Sequence, residues 1–519
     1  MNSCHRIKLS FRKTFIFLVI ALILSQGVGG TPAKASYGLQ SVKFSEIDAY
    51  VQGEMKRANI PGLAYGIVNG EKVVHLQAFG IADPSGRPMT PQTPLIMGSV
   101  GKTFTALSIQ QLVRAGKIEL SAPVQRYISW FRVADPAASA QITIDHLINH
   151  ISGLSHADGN QAIFFKGGQT LESFVRKMAT LQLNRPVGSS YEYSNLNFLI
   201  LGLVVEIVSG QSFADYVQSH IFDPLMMENS YLSEVKAMQN GLATGYHIWY
   251  GLPLPMHAAF PEGGVSQGFA ISSVEDMTHY LIAYLNNGNF NGVSLLDPVE
   301  SAPLQADTRF DVYWNTYSTS SARLSDGQSG GTNNFNGIVQ ITFDQFQGNY
   351  GVVILMNSRP DEVFEQVNAI SIFNGIYEML YQGRTQTTSG LEWYGWYLKW
   401  GLIDLALLGL ISFAIFELIS SYRWQNNARQ MREYSKRRCI ARIGVDLFAT
   451  LMIIIIPPVL LGSPWRDLLI PYCELCVVFI GAALLLFVAA IWKIVLFIKI
   501  RYVLPDKDSL GYMSPKAFE

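Results

Sequence analysis

A serine followed three residues later by a lysine can place a hydroxyl and an amine on one helix face, where the amine can draw the hydroxyl proton away. That spacing occurs three times in the chain, at Ser10/Lys13, Ser99/Lys102 and Ser233/Lys236. The first lies in a basic-then-apolar start and the third in a polar stretch. Ser99 differs, because it opens an apolar helical run directly after the extended segment PLIMG. A hydroxyl at a helix N-terminus meets free N–H groups and the positive end of the macrodipole, both of which favour a developing oxyanion. Lys102 in such surroundings is expected to have a lowered pKa and to be able to act as a base. The same pair also reads as a helix N-cap with a chance lysine.

Tyr-x-Asn recurs as well, at Tyr193/Asn195, Tyr284/Asn286 and Tyr313/Asn315. The second resembles the end of an amphipathic helix and the third lies among strand-like aromatics. Tyr193-Ser194-Asn195 sits between the turn residues Pro186–Ser190 and an apolar helix, so it belongs on a loop that could face a cleft. A tyrosine beside a cation can relay a proton to a leaving amine; the plainer reading is a half-buried ring. His146 and His150 stand four apart, but no H-E-x-x-H is present. Gly330-Gly331 is not followed by Lys-Ser/Thr. No metal, phosphate loop or cofactor is expected.

These residues need a scaffold. Phe44–Ala58 reads as a helix, and GLAYGIV with KVVHLQAFG forms two strand runs around Asn69-Gly70. A second pair, GIVQITF and YGVVILMN, lies near the far end of this region. Helical patterns such as Thr103–Arg114 and Phe198–Val208, with Gly116 and Gly210 as stops, fill the middle. Strands from both ends and a helical middle predict an α+β domain closed by its own termini.

The chain has 519 residues, 38 Lys+Arg against 39 Asp+Glu, 49% hydrophobic and 15% charged residues. The balanced charge gives no reason to expect nucleic acid. The apolar excess is localised. Arg6, Lys8, Arg12 and Lys13 precede an apolar run Phe15–Leu24 and then Ala33-Lys34-Ala35, the pattern of a cleavable secretory signal at 1–35; an uncleaved anchor is the alternative. Three apolar segments follow at Trp400–Ile419, Val445–Leu461 and Cys473–Trp492, each close to a membrane span, with Pro457-Pro458 expected to kink the second. SYRWQNNARQMREYSKRRCIAR between the first two carries seven Lys/Arg and one Glu, which predicts a cytoplasmic loop next to lipid headgroups. Lys493, Lys499 and Arg501 place the end of the third helix on the same side. The expected plan is therefore an exported domain at 36–390, three membrane helices within 391–503 and a cytoplasmic tail at 504–519. Cys4 falls in the signal and Cys439, Cys473 and Cys476 in the membrane region, so the exported domain has no disulfide. Cys473-x-x-Cys476 stands without a second pair and reads as packing.

Beyond single motifs, APVQRYISWF, ITIDHLINHISGL, YEYSNLNFLILG, SSVEDMTHYLIAYLNNG and GVVILMNS resemble segments of the class C β-lactamase and D-Ala-D-Ala carboxypeptidase superfamily, in family order. The resemblance implies an antiparallel sheet flanked by helices plus a helical subdomain, with an active site between them. It implies Ser99 as nucleophile, Lys102 and Tyr193 as proton carriers, and Asn195 on the substrate amide. The family's Lys/His-small-Gly triplet aligns with Gln328-Ser329-Gly330, fixed by Phe335 seven residues on, and the N–H groups of Ser99 and Gly331 would form the oxyanion hole. Gln328 departs from the family, since a neutral amide cannot supply the charge that binds a substrate carboxylate. Asn334 likewise stands where Gly is common.

The three terminal helices, GYHIWYGLPLPMH and Asn333-Asn334-Phe335 are similar to membrane-bound peptidases that remove an acylated D-amino-acid cap from nonribosomal peptide–polyketide products, the colibactin-maturing type. That likeness implies His257 and Asn334 as recognition residues for a D-asparagine side chain; His257 also reads as an ordinary loop histidine. Three functions stay open: a D-directed peptidase or amidase, a lactam or ester hydrolase with the same machinery, and a non-catalytic acylated sensor. The expected partners are a small acyl-amino-acid, peptide or lactam substrate and the bilayer, and the terminal helices could instead form a unit with a transporter that delivers substrate.

Overall fold

The computed structural model describes residues 43–162, 170–249, 251–257, 260–295, 315–320, 323–344, 348–360, 369–382, 405–422, 436–461, 465 and 473–499. The expected signal at 1–35, Ser10/Lys13, Tyr313, most of the basic loop and the tail at 504–519 lie outside them. The chain divides into two compact units, one spanning Tyr37–Gln386 and the other holding the C-terminal helices.

The first unit opens with helix α1 (Phe44–Ala58), whose Ile47, Val51 and Met55 recur every four residues and are buried. Asn59 in the left-handed region (φ 52°) ends it. Strands β1 (Gly62–Asn69) and β2 (Lys72–Gly80) then form the hairpin that Asn69-Gly70 predicts. Helix α2 (Lys102–Arg114) and helix α3 (Asn195–Ser209) belong to the helical part. A short hairpin, β3 (Tyr246–Trp249) with β4 (Leu252–Pro255), precedes helix α4 (Val274–Leu285). The remaining strands are β5 (Asn315–Ser320), β6 (Arg323–Gly331), β7 (Asn336–Asp344), β8 (Tyr350–Met356) and β9 (Ser358–Pro360), followed by helix α5 (Ala369–Gln382).

Six strands make one antiparallel sheet in the order β2-β1-β8-β7-β6-β5, so the first strand pairs with one from the far end of the domain. Alternate residues of the central strands serve different layers. Leu63, Tyr65, Ile67, Ile338 and Ile354 pack on α1 and α5 through Ile47, Val51, Ile372 and Ile376. Ala64, Val68, Val339, Ile341, Val353 and Leu355 join the larger core that holds Phe104, Phe198, Tyr280 and the helical layer. A sheet buried on both faces needs near-continuous apolar strands, and β1 and β8 have them. The fold is α+β, with an antiparallel sheet between helices.

The segment PLIMG is extended over less of its length than expected: only Leu95–Ile96 forms a strand, paired with Ile271–Ser272. In the second unit, α6 (Leu405–Tyr422), α7 (Lys436–Leu461) and α8 (Cys473–Ile498) are long and apolar enough to cross a membrane. Helix α7 starts nine residues before the expected Val445 and absorbs part of the basic segment, since Lys and Arg are good helix formers that need no apolar surroundings. It also runs through Pro457 and Pro458. Cys439 and Cys476 are buried free thiols.

Candidate active site

Met97 bonds its N–H to Ala270 O (3.0 Å), which fixes the chain just before Ser99. Residues Gly98–Gly101 then make one tight helical turn that leads into α2. Gly98 has φ +57°, and a Cβ there would overlap the backbone nitrogen of Gly331 at the end of β6. A Cβ on Gly330 would come within 2.5 Å of Met97 O and 2.6 Å of both Ser99 N and Val100 N. Two glycine-containing backbones thus press together at Ser99, which brings the N–H groups of Ser99 and Gly331 into one small region.

Lys102 lies one turn beyond Ser99 and its side chain is fully buried. Its Nζ stands 3.1 Å from Ser99 Oγ, donates to Asn195 Oδ1 at 2.8 Å, and donates to the main-chain carbonyl of Gln267. Burial holds its pKa well below the usual lysine range, because no carboxylate is among its bonding partners to offset the lost hydration. As a neutral amine, Lys102 has two N–H groups for the two carbonyls and a lone pair left facing the Ser99 hydroxyl. Its Nζ also lies over the rings of Tyr193 (5.1 Å) and Phe198 (5.6 Å).

Tyr193 Oη approaches Ser99 Oγ from the other side at 2.6 Å and donates to Asn195 Oδ1 at 3.3 Å. The loop that carries it is held from both flanks. Glu192 accepts from Asn184 Nδ2 at 3.0 and 2.9 Å, from Arg185 Nε at 2.8 Å and from the His156 N–H at 2.9 Å. Ser194 donates to Ser155 O (2.8 Å) just before Asn195 begins α3. A serine hydroxyl, an unprotonated amine and a phenol within hydrogen-bonding reach can move a proton from nucleophile to leaving group.

The other candidates divide. Gln328 and Ser329 are on β6, where Gln328 is buried and donates from its own amide to Ser329 O at 2.8 Å. Asn334 is 3% exposed, accepts from Thr332 Oγ1 (2.9 Å) and donates to Met256 O (2.8 Å). Its side chain therefore ties the β6–β7 connection to the segment after β4. His257, the next residue, is exposed. The rival spacings have structural occupations. Ser233 caps a short helix by accepting from Lys236 N, and Asn286 ends α4, where it donates to Ile282 O. His146 closes a capping box with Thr143. Two participants carry no signal of this role in the sequence. Gln267 contributes only a carbonyl, which no side-chain pattern reveals, and His150 stands four residues from His146 with nothing along the chain to show that its ring meets Ser194 N in the Tyr193 loop.

A known family model, described as Beta-lactamase, matches residues 47–375. Protein flp of Staphylococcus aureus (strain MW2) is 24% identical over 321 residues, covering 61% of this chain and 64% of that protein. The chain thus spans slightly under two thirds of that relative's length. Teichoic acid D-alanine hydrolase of Staphylococcus aureus (strain MRSA252) is 28% identical over 220 residues, 42% of this chain and 52% of that one. Among solved structures, the D-amino acid amidase of Ochrobactrum anthropi SV3 superposes with a TM-score of 0.52 at 20% identity, over 65% of this chain and 97% of that one. The matched segment contains the sheet, the helical layer and the Ser99 cluster, and on that match the chain belongs to the beta-lactamase family.

Proposed function

We propose that this protein is an extracytoplasmic serine peptidase or amidase, directed to D-amino-acid substrates, that works through an acyl-enzyme on Ser99. The observation that carries the reading is the convergence of Lys102 Nζ (3.1 Å) and Tyr193 Oη (2.6 Å) on Ser99 Oγ. Lys102 takes the hydroxyl proton as Ser99 attacks the acyl carbonyl, and the N–H groups of Ser99 and Gly331 receive the oxyanion. Tyr193 gives its phenol proton to the leaving amine and regains one from the Lys102 ammonium, then helps activate the water that releases the acyl group. Asn195 fixes Lys102 and borders the substrate amide, while Gly330 sets the spacing of the oxyanion region. His257 and Asn334 serve at the recognition end, Asn334 by holding the segment that carries His257.

Two observations favour an amide without a carboxylate anchor. Gln328 and Ser329 offer β6 no cation beside the nucleophile, and two similar proteins are by name a D-alanine hydrolase and a D-amino acid amidase. Removal of an acylated D-amino-acid cap from a larger product is the finer form of this reading, supported by the three terminal helices. The three spans and the basic segment between α6 and α7 support a membrane location with the Ser99 unit outside.

The test uses full-length protein in detergent micelles. Wild type hydrolyses N-acyl-D-aminoacyl amides faster than their L-isomers and takes up a serine-directed acyl probe, whereas Ser99→Ala does neither. Labelling or turnover retained by Ser99→Ala would end the proposal. Faster turnover of a chromogenic cephalosporin or of short esters than of any D-amide would replace the substrate class and keep the mechanism.

A further inference from the structure

His150 is buried, yet its backbone takes the left-handed conformation (φ 55°) that costs most residues energy and that His and Asn tolerate best. Its carbonyl accepts the N–H of Glu192 at 2.8 Å, and its ring Nδ1 accepts the N–H of Ser194 at 3.1 Å. These two donors flank Tyr193 on either side. The same Nδ1 accepts from Asn197 Nδ2 at 2.8 Å, and the ring lies 4.6 Å from the Tyr193 ring and 5.5 Å from that of Phe198. Asn197 is itself held by Ser152 Oγ, which donates to its Oδ1 at 2.6 Å.

We infer that His150 is a positioning residue: one histidine fixes the backbone on both sides of Tyr193 and packs behind its ring, so that the phenol is delivered to Ser99 Oγ. The inference rests on the acyl-transfer reading of Ser99, Lys102 and Tyr193. An Nδ1 that accepts two donors carries no proton, so the neutral ring keeps its hydrogen on Nε2. Burial, then the neighbouring Lys102 and His156, push the pKa of His150 down to about 3, in keeping with a ring that stays neutral while Lys102 changes charge. His156 completes the bracket from the solvent side, its Nδ1 lying 3.0 Å from Tyr193 O.

Two substitutions separate the functions of the ring. His150→Asn keeps an acceptor close to the Nδ1 position and suits the left-handed backbone; His150→Phe keeps the ring and removes the acceptor. In the full-length protein, His150→Phe is expected to lower kcat roughly 100-fold, as a displaced catalytic group does, with KM changed by less than about threefold. His150→Asn is expected to recover most of that loss. In a Tyr193→Phe background, His150→Phe should cost little more, because a residue that acts through Tyr193 has nothing left to position. A structural role alone would give additive losses and a fall in melting temperature that tracks activity. Additive losses in the Tyr193→Phe background, or a folded His150→Asn as slow as His150→Phe, would overturn the inference. If His150→Phe fails to fold, the His150→Asn rate and its pH profile decide by themselves. Ser99→Ala, run alongside, reports on the underlying reading: activity in that variant sinks the acyl-enzyme, whereas normal His150 variants with a dead Ser99→Ala sink only the positioning role.

Discussion

Lys102 is a fully buried amine 3.1 Å from the Ser99 hydroxyl, with no carboxylate among its bonding partners. A buried amine without a carboxylate favours its neutral form, and the neutral form is the one that can accept the Ser99 proton. The sign of the pH effect follows. As pH falls through the lowered pKa the ammonium forms, so kcat/KM should drop on the acid side, and an acid limb that stays unchanged in Asn195→Asp would contradict the assignment. Introducing a carboxylate tests the same point more directly. Asn195→Asp would set a charge 2.8 Å from Nζ, raise the Lys102 pKa and move the acid limb to higher pH. Stability is linked to both buried bases. The unfolded chain binds protons on His150 below about pH 6.5, while the folded ring resists until about pH 3, so stability is lost as pH falls through that window. The melting temperature of His150→Asn should therefore decline less steeply between about pH 7 and pH 4 than that of the wild type. Equal slopes would assign the acid sensitivity to other groups.

The elements matter through their spacing. The tip of β6 and the turn before α2 touch backbone to backbone, with no side chain between them that could yield. Gly330→Ala should thus cost about 2–3 kcal/mol and abolish probe labelling, since the strand must back away from Ser99 and take Gly331 N with it. Ser233→Ala provides the contrast. It removes a helix cap distant in role from the site, so about 1 kcal/mol of stability should go while turnover stays at the wild-type rate. A fall in turnover out of proportion to that loss would give the Ser233/Lys236 pair a part in the chemistry. The strands and helices that set these distances were legible in sequence, because α1 has an apolar four-residue recurrence, β1, β7 and β8 are near-continuous apolar runs, and Asn69-Gly70 marks the turn between β1 and β2. Less legible was the short pairing at Leu95–Ile96, where only two residues form ladder contacts and the rest of PLIMG is shaped by what packs around it.

On the scale of the whole molecule, the C-terminal unit of apolar helices carries its own charged centre. Lys493 on α8 donates to Glu417 Oε2 of α6 and Asp446 Oδ2 of α7, both at 2.6 Å, and Ser421 of α6 donates to Ala489 O of α8. One ionic group from each helix joins the three apolar helices where small residues such as Ala414, Ala482 and Ala489 let them approach. Lys493→Met leaves two carboxylates without the ammonium between them and should destabilise the bundle by about 3 kcal/mol or more, read as an earlier midpoint on titration with a denaturing detergent. An unshifted midpoint would mean that packing alone holds the helices.

Taken by itself, the sequence determined the local quantities: which segments are strands, helices or long apolar helices, and that Ser99, Lys102, Tyr193 and Asn195 sit in segments suited to a cleft. Periodicity is local, so it survives in a linear reading. The tertiary structure decided the rest. Context along the chain already favoured Ser99/Lys102 over Ser233/Lys236; the fold adds what spacing lacks, contacts from Ser99 and Lys102 to Tyr193 and Asn195 across ninety-odd residues of chain. It alone brought in Gln267 through a carbonyl and His150 through a lone pair, groups whose role depends on which donors lie opposite them. Hydrogen bonds and buried charge are properties of proximity in space, and spacing along the chain does not encode them.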